Sequence, residues 1–253
     1  MKKDDLGDRM KKNYEDRFRY YLPRRLPTIL RLDLVCGHTI TKNLNRPFDG
    51  CFMDYMIEST LNLCKQISGC HLGYVQSDEI SLLLIDYENL DTEAWFDNNL
   101  QKLCSVSASM ATYYFNEAAH NDNRLIRPIL FDSRAFTIPK EEVCNYFYWR
   151  QKDASRNSIS MLAQSLFSHK DLQNLSQSAL QDKMMNEKGI NWDKLAISQK
   201  RGTCVYKRTE PQIHPFSVGE SVSFALGKVE NTWIVDREIP IFNQNREYIE
   251  KHL

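Results

Sequence analysis

The twenty residues 49–68 carry one apolar stripe and stand between one short strand and a pair of short strands, an order that few folds accommodate. Thr28-Ile29-Leu30-Arg31-Leu32-Asp33 alternates in a way that predicts a strand. Thr28, Leu30 and Leu32 share one face, and Ile29, Arg31 and Asp33 share the other. In 49–68, Met53, Met56, Ile57, Thr60, Leu61, Cys64 and Ile67 recur at helical spacing, and Gly69 is a suitable stop. Residues 71–75 and 80–85 read as strands whose tight polar link, Gln76-Ser77-Asp78-Glu79, makes them a hairpin. Asp91 is expected to cap a second helix with the stripe Phe96, Leu100, Leu103, Met110 and Tyr114. Residues 125–138 return as a strand pair or a bent strand, stopped by Pro139. The order β-α-β-β-α-β predicts an α+β fold of the ferredoxin-like, palm-type layout: an antiparallel sheet with helices on one face. Many unrelated activities use that layout, so it decides no function.

After Pro139, Lys140-Glu141-Glu142 opens a long helical stretch carrying Val143, Phe147, Ala154, Met161 and Leu166. A further helix is expected over 176–188, ended by Gly189, and late strands over 202–207 and 233–242. No Pro/Gly-rich linker divides the chain. Residues 140–253 therefore read as a helical and β extension packed on residues 1–139, in one integrated domain.

The net charge is zero, with 33 basic and 33 acidic residues. Binding to a polyanion through the surface as a whole is excluded, and a local patch is needed. Residues 1–26 offer one, with nine Lys or Arg against five Asp or Glu and the aromatics Tyr14, Phe18, Tyr20 and Tyr21; a solvated helix accounts for them equally. Seven cysteines, an odd number with no CxxC pair and no signal peptide, predict free thiols in a cytoplasmic protein. No apolar run reaches membrane-spanning length. Gly-x-Ser-x-Gly, P-loop and Rossmann glycine patterns are absent.

Two carboxylates carry the chemistry. Asp33 ends its strand, and Asp78 sits 45 residues later at the bend of the hairpin. A strand end and a neighbouring turn can face one point, and phosphoryl transfer uses hard oxygen ligands to hold magnesium against phosphate oxygens. Glu79 adds a third carboxylate or a supporting partner. A polar turn beside a strand end would show the same residues without chemistry, so spacing leaves both readings open. His38, Lys42 and Arg46 follow on a loop that could receive a triphosphate. Arg134, Arg150, Lys152, Arg156, Lys183, Lys200 and Arg201 could line a channel for a polyanion or be scattered surface charge.

Several separate segments resemble the tRNA-His guanylyltransferase superfamily, in order over most of residues 5–208. They are Arg31-Leu32-Asp33 through His38, Arg46-Pro47-Phe48-Asp49, Tyr74-Val75-Gln76-Ser77-Asp78-Glu79, Phe131-Asp132-Ser133-Arg134, Tyr148-Trp149-Arg150-Gln151-Lys152-Asp153 and Lys200-Arg201-Gly202-Thr203. The eukaryotic enzymes carry His-Ile-Asn-Asn after Trp-Arg-Gln-x-Asp. Ala154-Ser155-Arg156-Asn157-Ser158-Ile159 here is similar instead to the guanylyltransferase-like branch of 3′–5′ polymerases.

The resemblance implies roles. Asp33 and Asp78 would ligate two Mg²⁺ ions with the main-chain carbonyl of Leu34, and Glu79 would support them. Leu34 stands where the family has Gly, which either weakens activity or requires a loop rebuilt around the Leu side chain. His38, Arg46 and Ser77 would contact a nucleotide triphosphate, and Asp49 its base. Lys102 and Arg134 would bind phosphates of the incoming nucleotide. Asn157, Lys183 and Arg150 would meet RNA. The implied activity is templated 3′–5′ addition of nucleotides to the 5′ end of tRNA or another structured RNA, with ATP and NTP or GTP as substrates, in a homotetramer. A catalytically weakened tRNA-binding relative and addition of G to tRNA-His are alternatives, as is another palm enzyme such as a cyclase or 5′–3′ polymerase.

Overall fold

The computed structural model describes residues 5–125, 128–218 and 221–253, with the side chains at 5, 38, 209–218 and 221–231 outside that description. After α1 (Asp5–Met10) the chain reaches β1 (Thr28–Leu34), a one-turn α2 (Gly37–Ile40), α3 (Gly50–Gln66), the hairpin β2 (Cys70–Gln76) and β3 (Glu79–Leu84), α4 (Leu100–Ala118) and β4 (Phe131–Thr137). These strands lie in the order β4-β1-β3-β2, all antiparallel, the ferredoxin-like arrangement expected. Asp49 caps α3, its side chain accepting from the Phe52 N–H.

Asp91 does not cap α4. That helix starts nine residues later, with Asn99 accepting from the Lys102 N–H, and Phe96, Asp97 and Asn98 have positive φ. The delay has a tertiary cause: Leu22 N–H donates to Asn98 C=O and Leu100 N–H to Tyr20 C=O, pinning the segment to the N-terminal chain before a helix can form.

Beyond Pro139 come α5 (Lys140–Leu166), α6 (His169–Leu172), α7 (Gln177–Lys188) and α8 (Ile197–Arg201), followed by β5 (Thr203–Val218), β6 (Ser221–Asp236) and α9 (Glu247–Glu250). Gly189, in the left-handed region, terminates α7 as expected. β5 and β6 extend the sheet beyond β2 to six strands and run longer than their sequence signals; residues 237–242 lie outside β6.

The alternation of β1 sorts the two cores. Leu30, Leu32 and Leu34 face α3 and α4, packing with Met56, Leu63, Leu103 and Phe115. The opposite face is covered as well. Ile29, Leu72, Tyr74 and Leu83 pack under Val143 and Phe147 of α5, with Ile239, Phe242 and Ile249 from the C-terminal stretch. Among the described residues no helix is long and apolar enough to cross a membrane.

Candidate active site

Strand register builds the site. On the α5 side of the sheet, Asp33 is paired with Glu79 on one flank and Asp132 on the other. The next row on that face pairs Arg31 with Ser81 and Arg134. A cross-strand row of three carboxylates thus lies against a row with two arginines. The hairpin turn brings in the fourth acid: Ser77 takes φ +50° in a two-residue loop, and the Leu34 N–H donates to the Asp78 main-chain carbonyl at 3.2 Å. Asp33 and Asp78, 45 residues apart in sequence, meet at one point.

Their electrostatics suit a cation. Burial, then Asp78 and Asp132, push the Asp33 carboxyl above its ordinary range, against the opposing pull of Arg31. Gly37 lies so close to Asp78 that a β-carbon there would come within 2.2 Å of Oδ2, so a larger residue would displace the Asp78 carboxylate. No group of three His, Cys, Asp or Glu among the described residues could hold a metal unaided. Magnesium, by contrast, needs only one or two protein carboxylates together with substrate phosphates. Asp33, Asp78 and a main-chain oxygen at Leu34 are the donors that would hold it.

Leu34 itself is only 5% exposed, packs in the α3/α4 core, and is absent from the residues with positive φ. An ordinary L-residue conformation suffices at this position. The left-handed turn falls instead at Cys36, with φ +59°.

Glu79 is held rather than free. Arg150 Nε and Nη2 donate to its two oxygens at 2.7 and 2.6 Å, and Arg31 Nε lies at 3.7 Å. Burial raises its pKa, and the two arginines oppose that rise. Arg150, whose side chain is 8% exposed, also pairs with Asp153. The resemblance implied that Arg150 meets RNA; here its guanidinium is engaged by two carboxylates, Glu79 and Asp153. Its neighbour Gln151 donates to Pro240 C=O and accepts from Phe242 N–H, tying the C-terminal stretch to α5. Lys200 is likewise buried, donating to Asp193 C=O.

A cleft of about 340 Å³ opens beside Asp78, between residues 41–53, the hairpin turn and α5. Arg46, Ser77 and Asn157 line it, with Phe48, Met53 and Met161 as apolar walls. Arg46 and Asn157 are exposed and available. Asp49 also lines the cleft, yet its carboxylate is occupied: it accepts from the N–H groups of Asn45 and Phe52 and pairs with Arg124 at 2.6 Å. Burial favours its neutral form, but the hydrogen bonds from Phe52, Arg124 and Asn45 prevail and lower its pKa. The resemblance implied a base contact for Asp49; its carboxylate here is engaged by two main-chain N–H groups and Arg124.

Two expected residues stand elsewhere. Lys102, in the first turn of α4, belongs to the opposite face and the far end of the sheet, its ammonium over the Phe96 ring at 5.5 Å. Lys183, on α7, pairs with Glu187 at 2.6 Å and lies over Phe167. Arg134 is exposed on the same face as Asp33, one row away. The His38 side chain lies outside the described residues. Arg31 was missed as a site residue although the alternation of β1 puts it on the face of Asp33, and Asp132 was missed because only the register of β4 with β1 brings it there. Arg124 had no local signal, because its partner Asp49 is 75 residues away.

A family model described as tRNAHis guanylyltransferase matches residues 7–139. A bacterial tRNA(His) guanylyltransferase-like protein in complex with ATP is 45% identical, with a TM-score of 0.86 over 98% of each chain. A bacterial guanylyltransferase-like structure in complex with GTP is 40% identical, with a TM-score of 0.78 over 98% of this chain and 99% of that one. The tRNA(His) guanylyltransferase of Saccharomyces cerevisiae, 21% identical, shares the fold with a TM-score of 0.65 over 76% of this chain and 91% of its own. The probable tRNA(His) guanylyltransferase of Dictyostelium discoideum is 21% identical over 199 residues, 71% of this chain and 75% of that protein. With its paired carboxylates beside a nucleotide-sized cleft, the chain belongs to the tRNAHis guanylyltransferase family.

Proposed function

We propose that this chain adds nucleotides to the 5′ end of RNA in the 3′–5′ direction, directed by a base-paired template, and so repairs 5′-truncated tRNA. One observation carries the reading: Asp33 lies beside Asp78, and Asp78 lines a cleft that can hold one nucleotide. A 5′-monophosphate would first take AMP from ATP, releasing pyrophosphate. The 3′-hydroxyl of an incoming NTP would then attack the 5′ phosphorus and expel AMP.

The chain's own groups have distinct tasks. Asp33 and Asp78 concentrate negative charge where the reacting phosphates must come, and the charge of Glu79, the register partner of Asp33, is balanced by Arg150 and Arg31. Arg46 on one side and Arg134 on the other are exposed cations that can orient phosphates. Magnesium, when bound, would lower the pKa of the attacking hydroxyl and neutralise developing charge. The walls of the cleft are chiefly neutral and apolar, which fits specificity supplied by base pairing rather than by side-chain readout. Repair rather than strict G addition is favoured by Ala154–Ile159, the stretch that departs from His-Ile-Asn-Asn; Ala154, Asn157 and Ser158 line the cleft directly.

Incubation of the protein with 5′-truncated tRNA, ATP, labelled NTP and Mg²⁺ tests the reading. The 5′ end should grow by the missing nucleotides and stop where the template ends. Absence of 5′ growth overturns it. Asp78→Ala should abolish growth while RNA binding is largely kept; full activity in that variant would equally count against the assignment.

A further inference from the structure

Trp149 is 51% exposed, and among the described residues it is the one exposed tryptophan. Its position follows from helix spacing. On α5, Tyr146 packs against Phe136 of β4, and Gln151 reaches the C-terminal stretch on the opposite side. Trp149 is three residues after Tyr146 and meets it edge-to-face at 6.0 Å, so it lies on the β4 flank. Arg150, beside it, reaches Glu79, in the row of Asp33 and Asp132. The indole therefore overlooks the β4 side of the carboxylates, away from the cleft beside Ser77 and Asp78.

The ring is also held still. The Arg150 guanidinium lies over it at 4.5 Å and is itself fixed by Glu79 and Asp153. A large apolar ring left in water yet braced from beneath is unlike a surface residue that merely tolerates exposure. On the same sheet face, the exposed Arg134 is the register partner of Arg31, whose own charge faces Glu79 at 3.7 Å. An anion arriving on this side would meet the exposed Arg134 guanidinium.

We propose that Trp149 is a stacking platform for the terminal base at the 5′ end of the RNA, with the adjoining phosphate directed to the Arg31–Arg134 side of Asp33. This rests on the RNA 5′-end reading above. The ring is open to solvent, which admits the end of a structured RNA, whereas the cleft beside Asp78 suits a single nucleotide. Stacking is tolerant of base identity, as repair of varied ends requires.

The test compares tRNA carrying a normal 5′-terminal nucleotide with the same tRNA carrying an abasic one, bound to wild-type protein and to Trp149→Ala, Trp149→Phe and Trp149→Leu. Trp149→Ala should weaken binding of normal tRNA about tenfold, the range of one base–aromatic stack, at a temperature where circular dichroism shows the variant fully folded. The abasic tRNA should lose the same factor against wild type and show no further loss with Trp149→Ala. Trp149→Phe should recover most of the affinity and Trp149→Leu little. Equal losses for normal and abasic tRNA, full rescue by Leu, or a raised KM for NTP alone would overturn the proposal. These are binding readouts, so a wild type that shows base-dependent binding but no 5′ growth would sink the function proposed above and leave the platform standing.

Discussion

Asp33 carries a charge that its surroundings oppose. Its pKa is raised in the folded chain, so its contribution to stability is full below the unfolded value of about 3.9 and is lost as pH rises through the folded value. Asp33→Asn should therefore raise Tm at pH 7 in EDTA, the gain vanishing on titration to below about pH 4 and shrinking when Mg²⁺ is added. The same variant should lower nucleotide addition by roughly 10³-fold, corresponding to the several kcal/mol that metal-assisted charge stabilisation supplies. Asp49 and Asp122 behave oppositely. Arg124 holds Asp122 at a pKa of about 2 and helps to lower that of Asp49, so their contribution is present above the unfolded value and lost as pH falls through the folded one. Arg124→Met should lower Tm at neutral pH, with the difference closing as melts are repeated toward pH 2. Asp33, Asp78 and Arg134 were legible because motif order and strand alternation are local. The pairing that occupies Asp49 was not, because it joins a helix cap to a loop 75 residues on.

Among the elements, α5 links the site to the rest of the sheet. Arg150 and Gln151 are consecutive, yet one holds Glu79 of β3 and the other holds the backbone at Pro240 and Phe242. Arg150→Met would leave Glu79 buried without its bidentate partner, and breaking a buried pair from one side costs about 3–5 kcal/mol. Chemical denaturation should show that loss, and addition should fail as well. Arg150→Lys should recover only part of the stability, since an ammonium cannot reproduce the fork. Replacing Glu79 and Arg150 together with Leu should restore much of the stability without restoring addition. The helices α3, α5 and α7 were readable from apolar spacing and end signals. The start of α4 was not, because backbone bonds to Tyr20 and Leu22 hold the preceding residues in a left-handed run that no periodicity encodes.

For the molecule as a whole, the palm-like half is not closed by its own two helices. The second face of the sheet is roofed by α5 and by a C-terminal stretch whose Ile239, Phe242 and Ile249 are fully buried. Each such side chain contributes about 2–5 kcal/mol when truncated, comparable in sum with the whole stability of a domain. A chain ending at Asp236 should consequently be insoluble or lack a cooperative unfolding transition, even though every expected catalytic residue is retained. Circular dichroism melts and native gel filtration of that truncation check it. Sequence alone determined the strand–helix order, the two acidic positions and the motif series, because these depend on residue spacing along a regular backbone. Tertiary structure decided which charges are available. Arg150, Asp49 and Lys200 read as ligand-binding groups until burial and partners from distant segments occupied them, and Asp132 and Trp149 became site neighbours only when β4 and α5 were laid beside β1.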